Sequence, residues 1–274
     1  MTLNKTWQRV LIFVFLAILA ALIIYPVLSV FNLALKPKKE MYRDPAGLVK
    51  NPTWSNFATV ARKIKLPRLY ANSLFVLFAG TAGTILIGVL ISFPLSRMYV
   101  RGGDKIYTLI LFAMSLPGSI IPMYRMMSLL HLTNSLLGVS LYQIGIRIPM
   151  AVFILTGFIS SVPEELDEAA CIDGCSYYKY VFKVIFPLLR PACATVAIFT
   201  GLNIWNDFFS SFLYLTDPEK RTMISGLYML RGEFSTAYNN FAAGLIFTLI
   251  PITIFYIAFQ KKVTAGMTIG AVKG

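Results

Sequence analysis

Five stretches of this chain, residues 10–35, 69–96, 106–124, 126–146 and 234–260, contain no Asp, Glu, Lys or Arg. About 20 uncharged, mostly apolar residues suffice for a helix to cross the hydrocarbon core of a bilayer. Inside lipid every backbone polar group must be paired, which restricts spanning forms to helices and closed barrels. Barrel strands alternate lipid-facing and lumen-facing residues over about ten positions, and these stretches are continuously apolar. The chain therefore reads as an all-α integral membrane protein with six transmembrane helices, at about 10–33, 70–95, 105–127, 136–160, 190–212 and 240–260. Lys5 and Arg9 precede the first apolar run as they would in a signal peptide. The run is too long for that, and Lys36-Pro37-Lys38-Lys39-Glu40 follows it where a small-residue cleavage site would stand, so the first span is expected to be retained.

The charged residues narrow the function. Net charge is +13. In a membrane chain Lys and Arg flank the spans and meet anionic lipid headgroups, and no aromatic-basic recognition module is present, so nucleic acid is not an expected partner. One His (His131) and three Cys (Cys171, Cys175, Cys193) do not make a zinc site, and no metal or cofactor is expected. No phosphate-binding G-x-x-x-x-G-K-[ST] loop, H-E-x-x-H or G-x-S-x-G occurs, so neither ATP hydrolysis nor ordinary hydrolase chemistry belongs to this chain. Arg147, in the fourth span, is the one charge deep in a span, and Asp207 lies towards the far end of the fifth. An ion-coupled carrier keeps Asp, Glu or His within its helices for the coupling ion. What remains is a transporter powered by another subunit.

Against this greasy background, Glu164, Glu165, Asp167, Glu168 and Asp173 fall within ten positions and supply five of the twelve acidic residues. Ser161-Val162-Pro163-Glu164 fits a capping box, with proline in the first turn and carboxylates at the positive end of the helix dipole. Leu166, Ala169, Ala170 and Asp173 then form a small, lightly apolar face, and Gly174 ends the helix after about ten residues. A densely aromatic segment from Tyr177 to Phe186 follows, closed by Pro187. A short, capped, acidic helix with alanines on one face is shaped to dock in a groove of a partner.

Glu168-Ala169-Ala170, three residues, Gly174, nine residues and Val184-x-Phe186-Pro187 resembles the EAA loop of permease subunits of binding-protein-dependent ABC importers. Departures are Val184 for isoleucine, Phe186 for leucine and Cys175 for alanine. The stretch from Val162 to Gly174 and the ending Val263 to Gly274 are similar to the maltose-type permeases of sugars and oligosaccharides, and the resemblance covers about residues 70–274. It implies the type I importer permease architecture, in a bacterial or archaeal cell membrane. A first span and external loop (1–69) would precede a five-helix core (70–274) with a cytoplasmic coupling loop at 161–190. Partners would be a second, homologous permease, two ATP-binding cassette ATPase subunits that hydrolyse the ATP, an extracytoplasmic solute-binding protein and membrane lipid. Both termini would then be cytoplasmic. The nine basic residues between Lys36 and Arg68 would lie outside, against the positive-inside rule.

The resemblance assigns ATPase coupling to Glu164, Glu165, Glu168, Ala169, Ala170, Asp173 and Gly174. It also implies a tail, Gly270, Ala271, Val272, Lys273 and Gly274, that reaches the ATPase interface. Sugar sites use aromatic faces and polar amides, which makes Tyr142, Gln143, Arg147, Asn203, Trp205, Asn206 and Asp207 the candidates for the substrate path. A lone Arg147 facing that path would suit an anionic saccharide. Gly80, Thr84 and Gly88 share one face of the second span and are expected to be a close helix contact. Pro94, Pro117, Pro122 and Pro149 are candidate kinks. The alternatives are a permease for a peptide or amino acid, and a stand-alone secondary carrier.

Overall fold

The computed structural model describes residues 6–116, 118–230 and 237–271, and among these no strand occurs. In chain order the helices are α1 (Thr6–Leu35), α2 (Lys38–Arg43), α3 (Ser55–Lys63), α4 (Leu66–Ser96), α5 (Gly103–Ala113), α6 (Ile120–Leu129), α7 (Leu136–Ile159), α8 (Glu165–Ile172), α9 (Tyr177–Tyr180), α10 (Phe186–Leu188), α11 (Arg190–Trp205), α12 (Phe209–Tyr214), α13 (Met223–Gly226) and α14 (Tyr238–Ala271). All six expected spans are helical, but two are broken. Continuous apolar helices of spanning length are α1, α4, α7 and α14.

The third expected span, 105–127, is two helices. At the end of α5 the N–H groups of Met114, Ser115 and Leu116 bond three residues back, to Leu111, Phe112 and Ala113. That tightened turn leads into Pro117-Gly118, where proline disfavours helix at the residue before it; Pro117 itself lies outside the described residues. The fifth, 190–212, ends at Trp205. Asn206 turns its side-chain amide back onto the Leu202 carbonyl (2.9 Å), and Asp207 Oδ1 accepts from the Ser210 N–H (3.2 Å). The polar pair thus closes α11 and opens α12, since such side chains offer the backbone an alternative to continuing the ladder. Pro94 and Pro149, in contrast, lie inside the unbroken helices α4 and α7, and Pro122 sits in the first turn of α6.

The described residues group into two compact units. In the first, residues 1–67 and 226–251, α1 is apolar on every side, and none of its most apolar window is buried within the chain. The loop after it is organised around Lys36, which is fully buried. Its ammonium donates to the carbonyls of Asp44 (2.5 Å), Pro45 (3.2 Å) and Gly47 (2.5 Å). Asn56 and Asn239 both donate to the Lys36 carbonyl (2.8 and 3.1 Å). Glu40 accepts from the N–H of Lys50 (2.7 Å), which pins the far side of the loop. So one of the nine basic residues is an internal fastener, not a surface charge.

The second unit, described over residues 68–116, 118–225 and 252–271, is a helical bundle, and its described residues gather around two apolar centres. One gathers Val89 and Phe93 of α4, Ala151, Leu155 and Ile159 of α7, Tyr180, Val181, Ile185 and Leu189, and Ala192 and Val196 of α11. The other gathers Val76 of α4, Met127, Val139 of α7, Ile204, Tyr214 and Leu215. The small-residue face is a close contact: Gly80, Thr84 and Gly88 are all buried. A methyl at Gly80 would meet Ile204 at 2.7 Å, and one at Gly88 would meet Ala151 at 3.1 Å. Between α9 and α10, Val181–Ile185 is a π-turn, with the Phe186 N–H on the Val181 carbonyl five residues back. The widened turn gives room to the ring of Pro187, which would crowd a standard helix.

Candidate functional site

α8 is an eight-residue helix, slightly shorter than its sequence indicates. The expected capping box does not form. Ser161 donates its hydroxyl to the Phe158 carbonyl (2.6 Å), so α8 begins after Glu164, with no side-chain cap there. Serine's local bond back to the preceding helix outcompetes the cap. At the other end the expectation holds. Gly174 takes the left-handed conformation (φ 66°), its N–H bonds Cys171 (3.1 Å), and the Cys175 N–H bonds Ala170 (2.9 Å). This is the Schellman arrangement, which satisfies the last carbonyls of a helix.

Glu164, Glu165, Glu168, Ala169, Asp173 and Gly174 are exposed, and Ala170 is half-buried against the first apolar centre. Ile172, at 86% exposure, and Tyr178, at 69%, extend this open surface. The inward side of α8 is carried by Asp167, a carboxylate that the motif does not single out. Arg97, just past α4, places Nε 2.7 Å from Asp167 Oδ2. Tyr99 donates its hydroxyl to the same oxygen (3.1 Å), Tyr180 donates to Oδ1, and Arg97 Nη2 also donates to the Val162 carbonyl (3.0 Å). Burial first, then the Asp167 carboxylate, hold the Tyr99 phenol above its ordinary pKa. Arg97's side chain is 3% exposed. Removing one partner of a buried pair leaves an uncompensated charge and typically costs about 3–5 kcal/mol. Glu164 lies 3.9 Å from Arg97 at a 79% exposed position, where solvent screens the pair.

Four of the seven substrate-path candidates come together. Gln143, fully buried on α7, donates its amide to Asp207 Oδ2 and to Ser210 Oγ (3.1 Å), and its carbonyl oxygen accepts from Arg147 Nη1. Tyr142 packs edge-on against Tyr214 (5.0 Å). Arg147 is therefore not a lone guanidinium: a glutamine links it to a carboxylate, although its Nε is buried without a hydrogen-bond partner among the described residues. The other three go elsewhere. Trp205 is buried and stacked with Tyr70 (6.5 Å), while the exposed Asn203 and Asn206 bond the carbonyls of Phe199 and Leu202 in their own helix. Of the tail, Gly270 and Ala271 are the last residues of α14, and Val272, Lys273 and Gly274 lie outside the described residues.

Comparison with known proteins reaches most of the chain. It is 30% identical over 254 residues to the sulfoquinovosyl glycerol transport system permease protein of Agrobacterium fabrum, covering 92% of this chain and 89% of that one. It is 30% identical over 275 residues to the arabinooligosaccharides transport system permease protein of Halalkalibacterium halodurans, covering 98% and 97%. A galactooligosaccharides permease of Bacillus subtilis is 30% identical over 268 residues, covering 96% and 94%. The fold matches a chain in the crystal structure of a bacterial ABC transporter involved in the import of the acidic polysaccharide alginate, with a TM-score of 0.83, 21% identity and coverage of 95% of this chain and 99% of that one. Residues 84–269, which hold α8 and the polar bridge, match the family described as binding-protein-dependent transport system inner membrane component, and this chain belongs to that family.

Proposed function

We propose that this chain is the membrane permease subunit of an ATP-driven importer and that its cargo is a sugar or oligosaccharide. The observation that carries the reading is α8, an exposed acidic helix ended at Gly174 within the family segment. The saccharide class rests on the relatives, whose names concern arabinooligosaccharides, galactooligosaccharides and sulfoquinovosyl glycerol. Family membership brings a solute-binding protein and ATPase subunits as partners, and ATP is hydrolysed by the latter.

In this reading a second, homologous permease completes the pathway, and two ATPase subunits each receive one coupling helix. Closure of the ATPases on ATP displaces α8, and the permease pair rocks between inward-open and outward-open arrangements. Ala169 and Ala170 allow close approach, Glu164, Glu165, Glu168 and Asp173 supply polar contacts, and Gly174 makes the turn. The tail, Gly270 to Gly274, reaches the ATPase interface. The loop containing α8 and both termini face the cytoplasm, and the loop from Lys36 to Arg68 faces outward. Tyr142, Gln143, Arg147 and Asp207 line or brace the path; Asn203, Trp205 and Asn206 are weaker candidates for it. Arg147 is linked to Asp207 through Gln143, which supports a bracing role for it beside the alternative of contact with an anionic saccharide.

The test is ATPase stimulation of the reconstituted complex, with its binding protein, across neutral oligosaccharides, uronic-acid saccharides and short peptides. A saccharide is expected to raise hydrolysis, and a response to peptides alone would overturn the cargo class.

A further inference from the structure

α4 ends in a strained turn. Met98 adopts φ 53°, a left-handed conformation that costs a residue with a Cβ, and the N–H groups of Met98 and Tyr99 bond Leu95 (3.3 Å) and Pro94 (3.0 Å). The turn carries Arg97 and Tyr99 on its two flanks, and both side chains reach the Asp167 carboxylate. Tyr180, from the segment that follows α8 in the chain, donates to the other carboxylate oxygen. The Phe93 ring lies 5.8 Å from those of Tyr99 and Tyr180, so apolar packing backs the polar contacts. Non-glycine strain of this kind persists where surrounding contacts over-determine it and is often tied to function.

α8 is joined to its neighbours by turns at 160–164 and 173–176. A push on a short helix between two turns is dissipated unless the helix is fixed to something rigid. We propose that Asp167 is a positioning residue for transport: held by Arg97, Tyr99 and Tyr180, it fixes α8 to the end of α4, so that displacement of α8 is delivered to a helix that runs through the bundle. The outward carboxylates meet the ATPase, and the inward one passes the movement on. This rests on α8 being the ATPase-docking helix.

The experiment uses the complete complex in proteoliposomes, with the binding protein and cargo, and measures uptake per ATP hydrolysed. Asp167→Asn should lower that ratio at least tenfold, with the ATPase still bound and hydrolysis without cargo retained. Asp167→Glu, which keeps the carboxylate, should recover most of it. An unchanged ratio in an intact Asp167→Asn complex overturns the proposal. If that variant fails to assemble, Tyr99→Phe with Tyr180→Phe decides: the ratio should fall severalfold, and an unchanged ratio overturns it. Glu168→Lys separates the two ideas. If it leaves ATPase binding and uptake intact, the docking reading fails; if it abolishes uptake while the Asp167 variants couple normally, the fixing role alone fails.

Discussion

The backbone N–H of Cys175 donates to the carbonyl of Ala170 at 2.9 Å, enclosing Gly174 at φ 66°. A methyl at Gly174 would meet nothing within 4 Å, so Gly174→Ala costs conformational strain alone, about 1 kcal/mol, and should leave most uptake. Gly174→Pro cannot adopt that φ and loses the N–H that bonds Cys171. It should abolish ATP-coupled uptake while the protein still inserts, as should Glu168→Lys. Uptake assays on membranes with matched permease levels check this, and normal uptake with the ATPase still co-purifying would contradict it.

Lys36→Met keeps the apolar stem and removes three charge-assisted bonds to the Asp44, Pro45 and Gly47 carbonyls. The local cost should be about 3 kcal/mol, seen as roughly hundredfold faster hydrogen exchange across residues 38–51. Exchange unchanged from wild type would show that the loop is held by other contacts.

Arg147→Gln breaks the link to Gln143 and leaves Asp207 without its balancing charge. Thermal stability of the solubilised chain should fall by about 1–3 kcal/mol, the cost of leaving the buried Gln143 carbonyl oxygen unpaired, and adding Asp207→Asn should restore part of the loss. Undiminished stability together with lost uptake of an acidic sugar would mean that Arg147 meets cargo instead.

Removing Gly270, Ala271, Val272, Lys273 and Gly274 touches no apolar span. The truncated chain should insert normally and lose assembly or coupling, measured as ATPase recovered with the permease and as uptake. Full uptake by the truncated chain would remove the tail from the mechanism.

Most features set by local chemistry were legible in the sequence: the four unbroken apolar spans, the turn at Gly174, and the close approach at Gly80, Thr84 and Gly88, though not the breaks after Leu116 and Trp205. Those set by distant pairing were not. Asp167 looked like one acidic residue among five because its partners Arg97 and Tyr99 lie about 70 residues away. Lys36 looked like another solvated base because its acceptors are backbone carbonyls, which carry no sequence signal. Ser161 is a local exception: it fitted a capping box, yet its hydroxyl had a competing acceptor three residues back at Phe158. Arg147, Gln143 and Asp207 were all visible as candidates, but not the bonds by which the glutamine joins the other two.

Uptake into proteoliposomes, with and without the ATPase subunits, tests the central claim most directly. With binding protein outside and ATP available to the ATPase, radiolabelled oligosaccharide should accumulate. The permease without the ATPase should take up none, even with a proton or sodium gradient imposed. Gradient-driven accumulation by the permease without any ATPase would contradict the account and make the chain a self-sufficient carrier.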